Sequence, residues 1–543
     1  MQYRRLTPLL VSALLACLTL MGAIAAEKAP RKPPNIVVFL ADDMGFSDVG
    51  CYGGEIATPN LDALAAGGVR FSQFYNTARC WPSRASLLTG YYAQQVNRDP
   101  MANRPKWAAL LPQLLQPAGY RSYQTGKWHV DGPVLAGGFS RSYELLDHNR
   151  NFNPRQHNLD DTPLPPVPPG TDYYTTTAVA GHALEFLDEH ETKHKADPFF
   201  LYVAFTTPHF PVQAPEADIA RYRGKYSDGW DSARERRLKR MRELGIYDGT
   251  LSTRDPLTIP PGNKPNALTA KIGPGEVGHA VAWDTLSDEQ KAFQAEKMAI
   301  HAAMVDRMDR EIGRVLDRLK AQGHEEDTIV LFASDNGASA EELIRGDGHD
   351  PAAPAGSAGS FLCLGPGWST ASNAPFRLHK MWNHEGGIST PLIVRWPAGI
   401  PARGEIRRSP GHLVDFAPTF LDLAGLKAPK TWSGEPRPEF PGKSLVPSLV
   451  DNTPIERDFL FFKHAGNRAL RAGNWKIVAA GPNSPWELYN LAVDRGETTN
   501  LAAAHRNQVQ QMSDTWAKAD LQYTAQGATG GSTPVKARTA PDR

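Results

Sequence analysis

Residues 35–41 read Asn-Ile-Val-Val-Phe-Leu-Ala, and the acidic pair Asp42-Asp43 follows them directly. In a half-exposed strand every second residue would be polar, whereas this run is apolar almost throughout, as is typical of a parallel strand buried on both faces. Three later runs share the pattern, at residues 199–205, 328–334 and 391–396. We therefore predict that the four segments belong to one buried, mostly parallel sheet.

Helical periodicity lies between these runs. Apolar residues from Met298 to Leu319 recur at steps of three and four, which predicts a long helix that ends near Gly323. Strands that alternate with helices indicate an α/β sandwich, with helices flanking a large sheet. Residues 213–290 are interpreted as an insertion, and we expect the basic run at 234–240 to be a solvated helix face.

The pattern changes near residue 455, where short strand-like pieces such as 459–462 and 475–478 appear. We expect residues 27–455 to form the catalytic domain and residues 456–525 a small C-terminal α+β subdomain with an antiparallel sheet. Residues 526–543 are rich in Gly, Ser, Thr and Pro, which predicts a flexible tail.

The first 26 residues have the composition of an export signal. Arg4 and Arg5 precede a mostly apolar segment, and residues 23–25 (Ala-Ile-Ala) offer the small side chains that a signal peptidase reads. We expect a periplasmic or secreted protein; the stretch ending at Cys17 loosely resembles a lipobox, so lipid anchoring there is the alternative. No other stretch approaches the ~18 apolar residues of a membrane span.

Charge argues against a nucleic-acid partner. The chain has 59 basic and 58 acidic residues, a net charge of +1, and lacks the basic excess of proteins that bind nucleic acids.

Two acidic pairs follow two of the predicted strands. Asp42-Asp43 come after the first strand, and Asp335-Asn336 come after the strand at 328–334. The carboxyl ends of parallel strands are where α/β proteins bind ligands, and three carboxylates with one amide oxygen suit Ca²⁺ or Mg²⁺ better than Zn²⁺. The alternative is that each pair only caps a helix or forms a turn.

Residues 80–90 read Cys-Trp-Pro-Ser-Arg-Ala-Ser-Leu-Leu-Thr-Gly and carry the most specific signal in the chain. Cys80, Pro82, Ser83 and Arg84, with the Leu-Thr-Gly that ends the segment, resemble the signature of the type I sulfatases. The Gly-Lys-Trp-His at 126–129, the Pro-His-Phe-Pro at 208–211 and the segments at 375–387 and 487–491 also match, so the resemblance covers nearly the whole mature chain. It implies an alkaline-phosphatase-like sandwich.

The resemblance also implies a mechanism. Cys80 is oxidised after translation to formylglycine by a formylglycine-generating maturation enzyme. Its hydrate has two hydroxyls, one to attack sulfur and one to expel sulfate afterwards, an exit that a simple serine ester would lack. A divalent metal, Ca²⁺ with Mg²⁺ as the alternative, polarises the sulfate; the implied ligands are Asp42, Asp43, Cys80, Asp335 and Asn336.

The remaining implied residues move protons or bind the sulfate. Arg84, Lys127 and Lys380 supply positive charge, and Arg84 and Lys127 also hold the hydrate. Asp335 is the implied base for the attacking hydroxyl and His129 for the second one. His209, with Lys380, is the candidate acid for the leaving oxygen.

Several alternatives stay open. A phosphate or phosphonate monoester hydrolase on the same scaffold is the first rival, and an inactive binder of sulfated glycans is the second. The segments 221–237 and 333–341 resemble bacterial arylsulfatases, but sequence does not say whether the natural ester is aryl, alkyl or carbohydrate, nor give the oligomeric state. Cys51 and Cys363 could pair as a disulfide. The stretch 347–350 (Asp-Gly-His-Asp) is interpreted as a turn.

Overall fold

The structure is a computed structural model that describes residues 32–529. The predicted signal segment 1–26, with Cys17, and the chain from residue 530 onward lie outside the described residues. Within the described part no helix is both long and apolar enough to cross a membrane.

A large mixed sheet forms the centre of the molecule. Its strands, numbered β1 to β11 in chain order, are Asn35–Ala41, Val69–Tyr75, Arg121–Lys127, Arg141–Leu145, His157–Leu159, Thr162–Pro163, Phe199–Ala204, Thr328–Ser334, Ser389–Arg395, Glu405–Arg407 and Gly411–His412. Their order is β10-β2-β9-β8-β1-β7-β3-β4-β5-β6, with β11 paired to β2. The four predicted strands are β1, β7, β8 and β9, so the predicted sheet is confirmed.

The central strands run parallel. β1 pairs in parallel with β7 and β8, and β3 pairs in parallel with β7 and β4. β9 runs antiparallel to both β8 and β2, so the fourth predicted strand belongs to the sheet in the opposite direction.

Both faces of the sheet are buried, which explains the unbroken apolar runs. Along β1, Val37 and Phe39 pack into the hydrophobic core on one face, whereas Ile36, Val38 and Leu40 pack into the core on the other.

Helices flank both faces. Numbered α1 to α13 within the described residues, they are Pro59–Ala66, Cys80–Thr89, Leu111–Leu115, Thr175–Lys193, Glu216–Ile219, Gly229–Glu243, Pro265–Ile272, Asp288–Ala321, Gly365–Ser372, Glu385–Ile388, Phe416–Leu423, Val446–Asp451 and Arg506–Ala528. The predicted long helix is α8, which begins with a capping box at Ser287 and Gln290.

The basic run at 234–240 is only partly the solvated face that its sequence predicts. Arg236 is exposed in α6, but Arg237 is buried and donates to Asp48 and Glu55. This expectation was wrong for Arg237 and also for Arg234, which is buried and donates to the carbonyl oxygen of Ser252. The partners of both arginines lie elsewhere in the chain, those of Arg237 about 180 residues earlier, and leave no trace in the local pattern.

The C-terminal part is an antiparallel sheet followed by a long helix. Strands Leu460–His464, Asn467–Ala472, Trp475–Ala479 and Glu487–Asn490 pair in chain order, and α13 packs on them. The described chain from Pro34 onward clusters as one compact unit.

Two further expectations are corrected here. The helix α13 continues through Ala528, past the predicted start of the tail at residue 526, and Gly527 packs there against the backbone of Gln94. Cys51 and Cys363 are both buried free thiols, so the structure holds no disulfide between them.

Candidate active site

The two acidic pairs meet at one edge of the sheet. β1 and β8 are parallel neighbours with Ala41 opposite Ser334, so the residues that follow them emerge side by side. The backbone N–H of Asp43 donates to Asp335 Oδ1 over 3.3 Å, and Asn336 Nδ2 donates to Asp43 Oδ1 over 2.6 Å. Asp42, Asp43, Asp335 and Asn336 are all buried.

Cys80 is the first residue of α2, which follows β2 after a short loop. Burial raises the pKa of its thiol, although Lys127 and Lys380 act against this. A thiol kept protonated is a poor nucleophile, so the unmodified cysteine is not suited to act as a thiolate.

Arg84 lies one helical turn after Cys80 and faces the same site. Its side chain is fully buried; Nε donates to Asp335 Oδ2 over 2.9 Å, and Nη1 donates to the carbonyl oxygen of Lys127 over 2.9 Å. Arg84 thereby ties together α2, the end of β8 and the end of β3.

Two lysines occupy opposite sides of the acidic pair. Lys127, the last residue of β3, places Nζ 2.6 Å from Asp42 Oδ2. Lys380 places Nζ 2.8 Å from Asp43 Oδ2 and 3.1 Å from Glu341 Oε2. Both lysines are buried, so their charges are little screened by water.

His129 follows Lys127 by two residues and has a positive φ of 55°. Burial, with Lys127 beside it, lowers its pKa well below the usual value, so the ring is neutral. Its Nδ1 is buried and has no hydrogen-bond partner among the described residues. A neutral imidazole with a free nitrogen can take a proton, which suits the role that the sequence predicts.

His209 lies on the Lys380 side of the site. Its Nδ1 donates to the carbonyl oxygen of Phe210 over 2.5 Å, which leaves Nε2 facing inward, 3.7 Å from Asp43 Oδ2. Burial lowers the pKa of His209 to about 4; Asp43 opposes this shift and Lys380 adds to it. The geometry suits a proton donor, but the ring must gain a proton when substrate binds.

The oxygen atoms at the strand ends fit a hard divalent cation. Asp42 Oδ1 and Asn336 Oδ1 are buried acceptors that no described donor satisfies. Ligand atoms of Asp42, Asp43 and His209 also lie within 4.8 Å of one another. Unpaired buried carboxylate and amide oxygens are costly without a partner, and Ca²⁺ or Mg²⁺ is the partner they prefer.

The carboxylates differ in their protonation. Burial raises the pKa of Asp42, but the positive charges of Lys127, His209 and Arg84 outweigh burial and hold this pKa well below its usual value. Burial and the charge of Asp42 raise the pKa of Asp335 to about 7. A carboxylate with a pKa near neutrality is suited to accept a proton, as predicted for Asp335.

Three residues of the site were not identified from sequence. Arg79 pairs with Glu341 over 3.0 Å, and Glu341 in turn holds Lys380. His148 lies in a polar stretch directly after β4, with its ring 5.7 Å from that of His129. Its position beyond the carboxyl end of a parallel strand is the signal that could have found it, by the rule applied to Asp42.

Family models and known proteins match most of the chain. The family model described as Sulfatase matches residues 34–426, and that described as N-sulphoglucosamine sulphohydrolase, C-terminal, matches residues 377–522. An uncharacterized sulfatase of Schizosaccharomyces pombe is 33% identical, covering 90% of this chain and 94% of its own. An arylsulfatase of Klebsiella aerogenes is 31% identical, covering 80% of this chain and 96% of its own.

Among solved structures, that of Ps i-CgsB in complex with k-i-k-neocarrahexaose has a similar fold. It aligns with a TM-score of 0.64 and 23% identity, covering 92% of this chain and 95% of the other.

Proposed function

The chain belongs to the sulfatase family. From that premise we propose that it is an exported, arylsulfatase-like enzyme that hydrolyses sulfate monoesters. We infer that it does so with a formylglycine derived from Cys80 and one divalent metal ion. The observation that carries the proposal is the position of Cys80. It begins a helix whose next turn carries Arg84, and Arg84 is bonded to Asp335 and to the backbone of Lys127. The maturable residue thus lies among the cations and carboxylates that sulfate-ester hydrolysis needs.

Two groups complete the chemistry when they are present. Formylglycine, as its hydrate, supplies one hydroxyl to attack sulfur and a second to expel sulfate. Asp42, Asp43, Asp335 and Asn336 would hold the metal, with residue 80 as a further candidate ligand, and the metal would polarise the sulfate.

The protein's own residues bind the ester and move its protons. Arg84, Lys127 and Lys380 face the sulfate oxygens and stabilise the negative charge that grows on them in the transition state. Asp335, beside Arg84 and next to the attacking hydroxyl, takes the proton of that hydroxyl. His209 Nε2 gives a proton to the leaving oxygen, and the neutral His129 then takes the proton of the second hydroxyl.

The test is to compare protein expressed with and without a formylglycine-generating enzyme. Mass spectrometry of the peptide around Cys80 should show the aldehyde only in the first sample, and only that sample should react with a hydrazide probe and turn over 4-nitrophenyl sulfate. Cys80→Ala should remove turnover and keep the melting temperature within a few degrees, because it deletes one small buried atom. A fully active alanine variant would refute the mechanism.

A further inference from the structure

A buried histidine lies behind the acidic pair and has no part in the mechanism described above. His301 belongs to the long helix α8 and is 1% exposed. Its Nε2 lies 3.1 Å from Asp48 Oδ2, whereas its Nδ1 is buried and has no hydrogen-bond partner among the described residues. A buried polar atom without a partner is costly, so we expect Nδ1 to bond a group nearby.

Asp48 fixes the orientation of the His301 ring. Burial raises the pKa of Asp48, but His301 and Arg237 outweigh burial and lower it. Asp48 is therefore a carboxylate, which only accepts hydrogen bonds, and Nε2 is the nitrogen that donates to it. Arg237 Nη1 donates to Asp48 Oδ1 over 2.7 Å, and the N–H of Gly45 donates to Asp48 Oδ2 over 3.1 Å. With the carboxylate and Nε2 both held, Nδ1 on the other side of the ring is left for a different partner.

A small cavity joins His301 to the active site. It is lined by Asp43, Pro208, Phe210, His301, Ser339 and Leu364. Its volume is about 10 Å³, close to the least that holds one water molecule. A buried water needs about two to four polar partners, and Asp43, His301 and Ser339 are the polar side chains of this lining. The cavity therefore suits one water that bonds His301 Nδ1 and the carboxylate of Asp43.

Asp43 has acceptor capacity left for such a water. An ionised carboxylate offers about four acceptor sites. Asn336 Nδ2 donates to Asp43 Oδ1 over 2.6 Å, and Lys380 Nζ donates to Asp43 Oδ2 over 2.8 Å. The acceptor sites that remain can serve a divalent cation and a donor from the cavity.

We propose that His301 is a positioning residue for Asp43, and that it acts through one buried water to hold this carboxylate in the orientation that binds the cation. The inference rests on the proposed function, because it uses the metal site assigned there. Arg237 and Asp48 then belong to the same chain of contacts, which runs from α6 through the loop after β1 to α8. Groups that orient metal ligands without touching the metal typically contribute about 10–100-fold to metal affinity.

The test measures cation affinity and needs no turnover. The full chain, expressed without a maturation enzyme and freed of metal by a chelator, is titrated calorimetrically with Ca²⁺ and, in a second series, with Mg²⁺. His301→Gln can place its amide near the position of Nε2 and so keep the bond to Asp48, but it has no polar group near the position of Nδ1. We expect this variant to bind the cation about 10–100-fold more weakly, with little change in melting temperature.

His301→Asn makes the opposite change. Its shorter side chain can place an amide near the position of Nδ1 but does not reach Asp48. We expect its cation affinity to fall less than about fivefold. Its melting temperature should fall more than that of His301→Gln, because Asp48 loses a buried hydrogen bond. A residue with only a structural role would not separate affinity from stability in this way.

His190→Gln is the matched control. His190 is a buried histidine of α4 that packs on Phe199 at the amino end of β7. Its two nitrogens face the hydroxyl of Tyr123 and the carbonyl oxygen of Asp197, over 2.9 and 3.2 Å. We expect this variant to bind the cation as the wild type does.

Unchanged cation affinity in His301→Gln, or an equal loss of affinity in the two His301 variants, would overturn the inference and leave the proposed function standing. A crystal structure of the cation-loaded chain with no water between His301 Nδ1 and Asp43 would have the same consequence. If the wild type binds neither cation, the metal assignment within the proposed function is wrong, and the inference falls with it.

Discussion

His209 provides the sharpest test of the catalytic assignment, because its Nε2 is placed to donate a proton whereas its low pKa leaves the ring unprotonated at neutral pH. With a pKa of about 4, only about one ring in a thousand is protonated at pH 7, so protonating it costs about 4 kcal/mol. The anionic ester must offset that cost when it binds. A leaving oxygen that departs readily without a proton gains little from this donor, whereas an alkoxide gains much.

We therefore expect His209→Ala to lower kcat/KM for an alkyl sulfate by about 10² to 10⁴-fold, the usual contribution of a general acid, and for 4-nitrophenyl sulfate by less than about tenfold. The pH profile gives a second readout. The reaction needs His209 protonated and the base, Asp335, ionised. Because the pKa of His209 is about 4, its protonated fraction falls about tenfold per pH unit above pH 7, and kcat/KM of the wild type on the alkyl ester should fall with it.

The variant should lose that decline, since it has no acid left to titrate. Steady-state rates on both esters from pH 5 to 9 provide the measurement, with His194→Ala, at the partly exposed end of α4, as the control for general effects of losing a histidine. Equal losses on the two esters, or an unchanged slope in the variant, would remove His209 from the acid role.

Three other outcomes are expected. Elemental analysis should find about one Ca²⁺ or Mg²⁺ per chain, and Asp335→Ala should lose both metal and turnover; stoichiometric Zn²⁺ alone would contradict the ligand assignment. Phosphate monoesters should inhibit or react slowly, because sulfate leaves the intermediate more readily than a phosphate dianion does; a phosphatase rate above the sulfatase rate, at matched leaving groups, would favour the rival activity. Lys476→Met should lower the free energy of unfolding by about 3–5 kcal/mol, because it leaves Glu497 buried without its cation and leaves Glu385 with Arg495 alone. Urea unfolding measures this loss, and Lys463→Met, which breaks a partly exposed pair with Asp520, should cost no more than ~1 kcal/mol.

The sheet and the proposed metal ligands could be predicted from the sequence because both depend on local sequence patterns. A strand buried on both faces needs an unbroken apolar run, and β1 and β8 have one. Polar residues directly after such strands meet at one edge when the strands are parallel neighbours, which brings Asp42 and Asp335 together.

What sequence did not predict depends on contacts between distant segments. Arg237 lies in a basic run that would be exposed on most helices, yet it is buried because it pairs with the carboxylates of Asp48 and Glu55. Glu341 and Arg79 have no pattern of their own; their importance appears only when Lys380 and Asp43 are placed beside them. The direction of β9 was also hidden, because a buried strand has the same apolar run in either direction.

The burial of Cys80 has a consequence for the order of events during biosynthesis. In the folded protein the residue is 3% exposed and lies in the first turn of a helix whose Arg84 is bonded to two strand ends. An oxidising enzyme would have to pull an extended segment around Cys80 out of this packed core, which amounts to partial unfolding. If Cys80 is converted as proposed, conversion would have to precede folding, and a chain that folded first would keep its thiol and remain inactive.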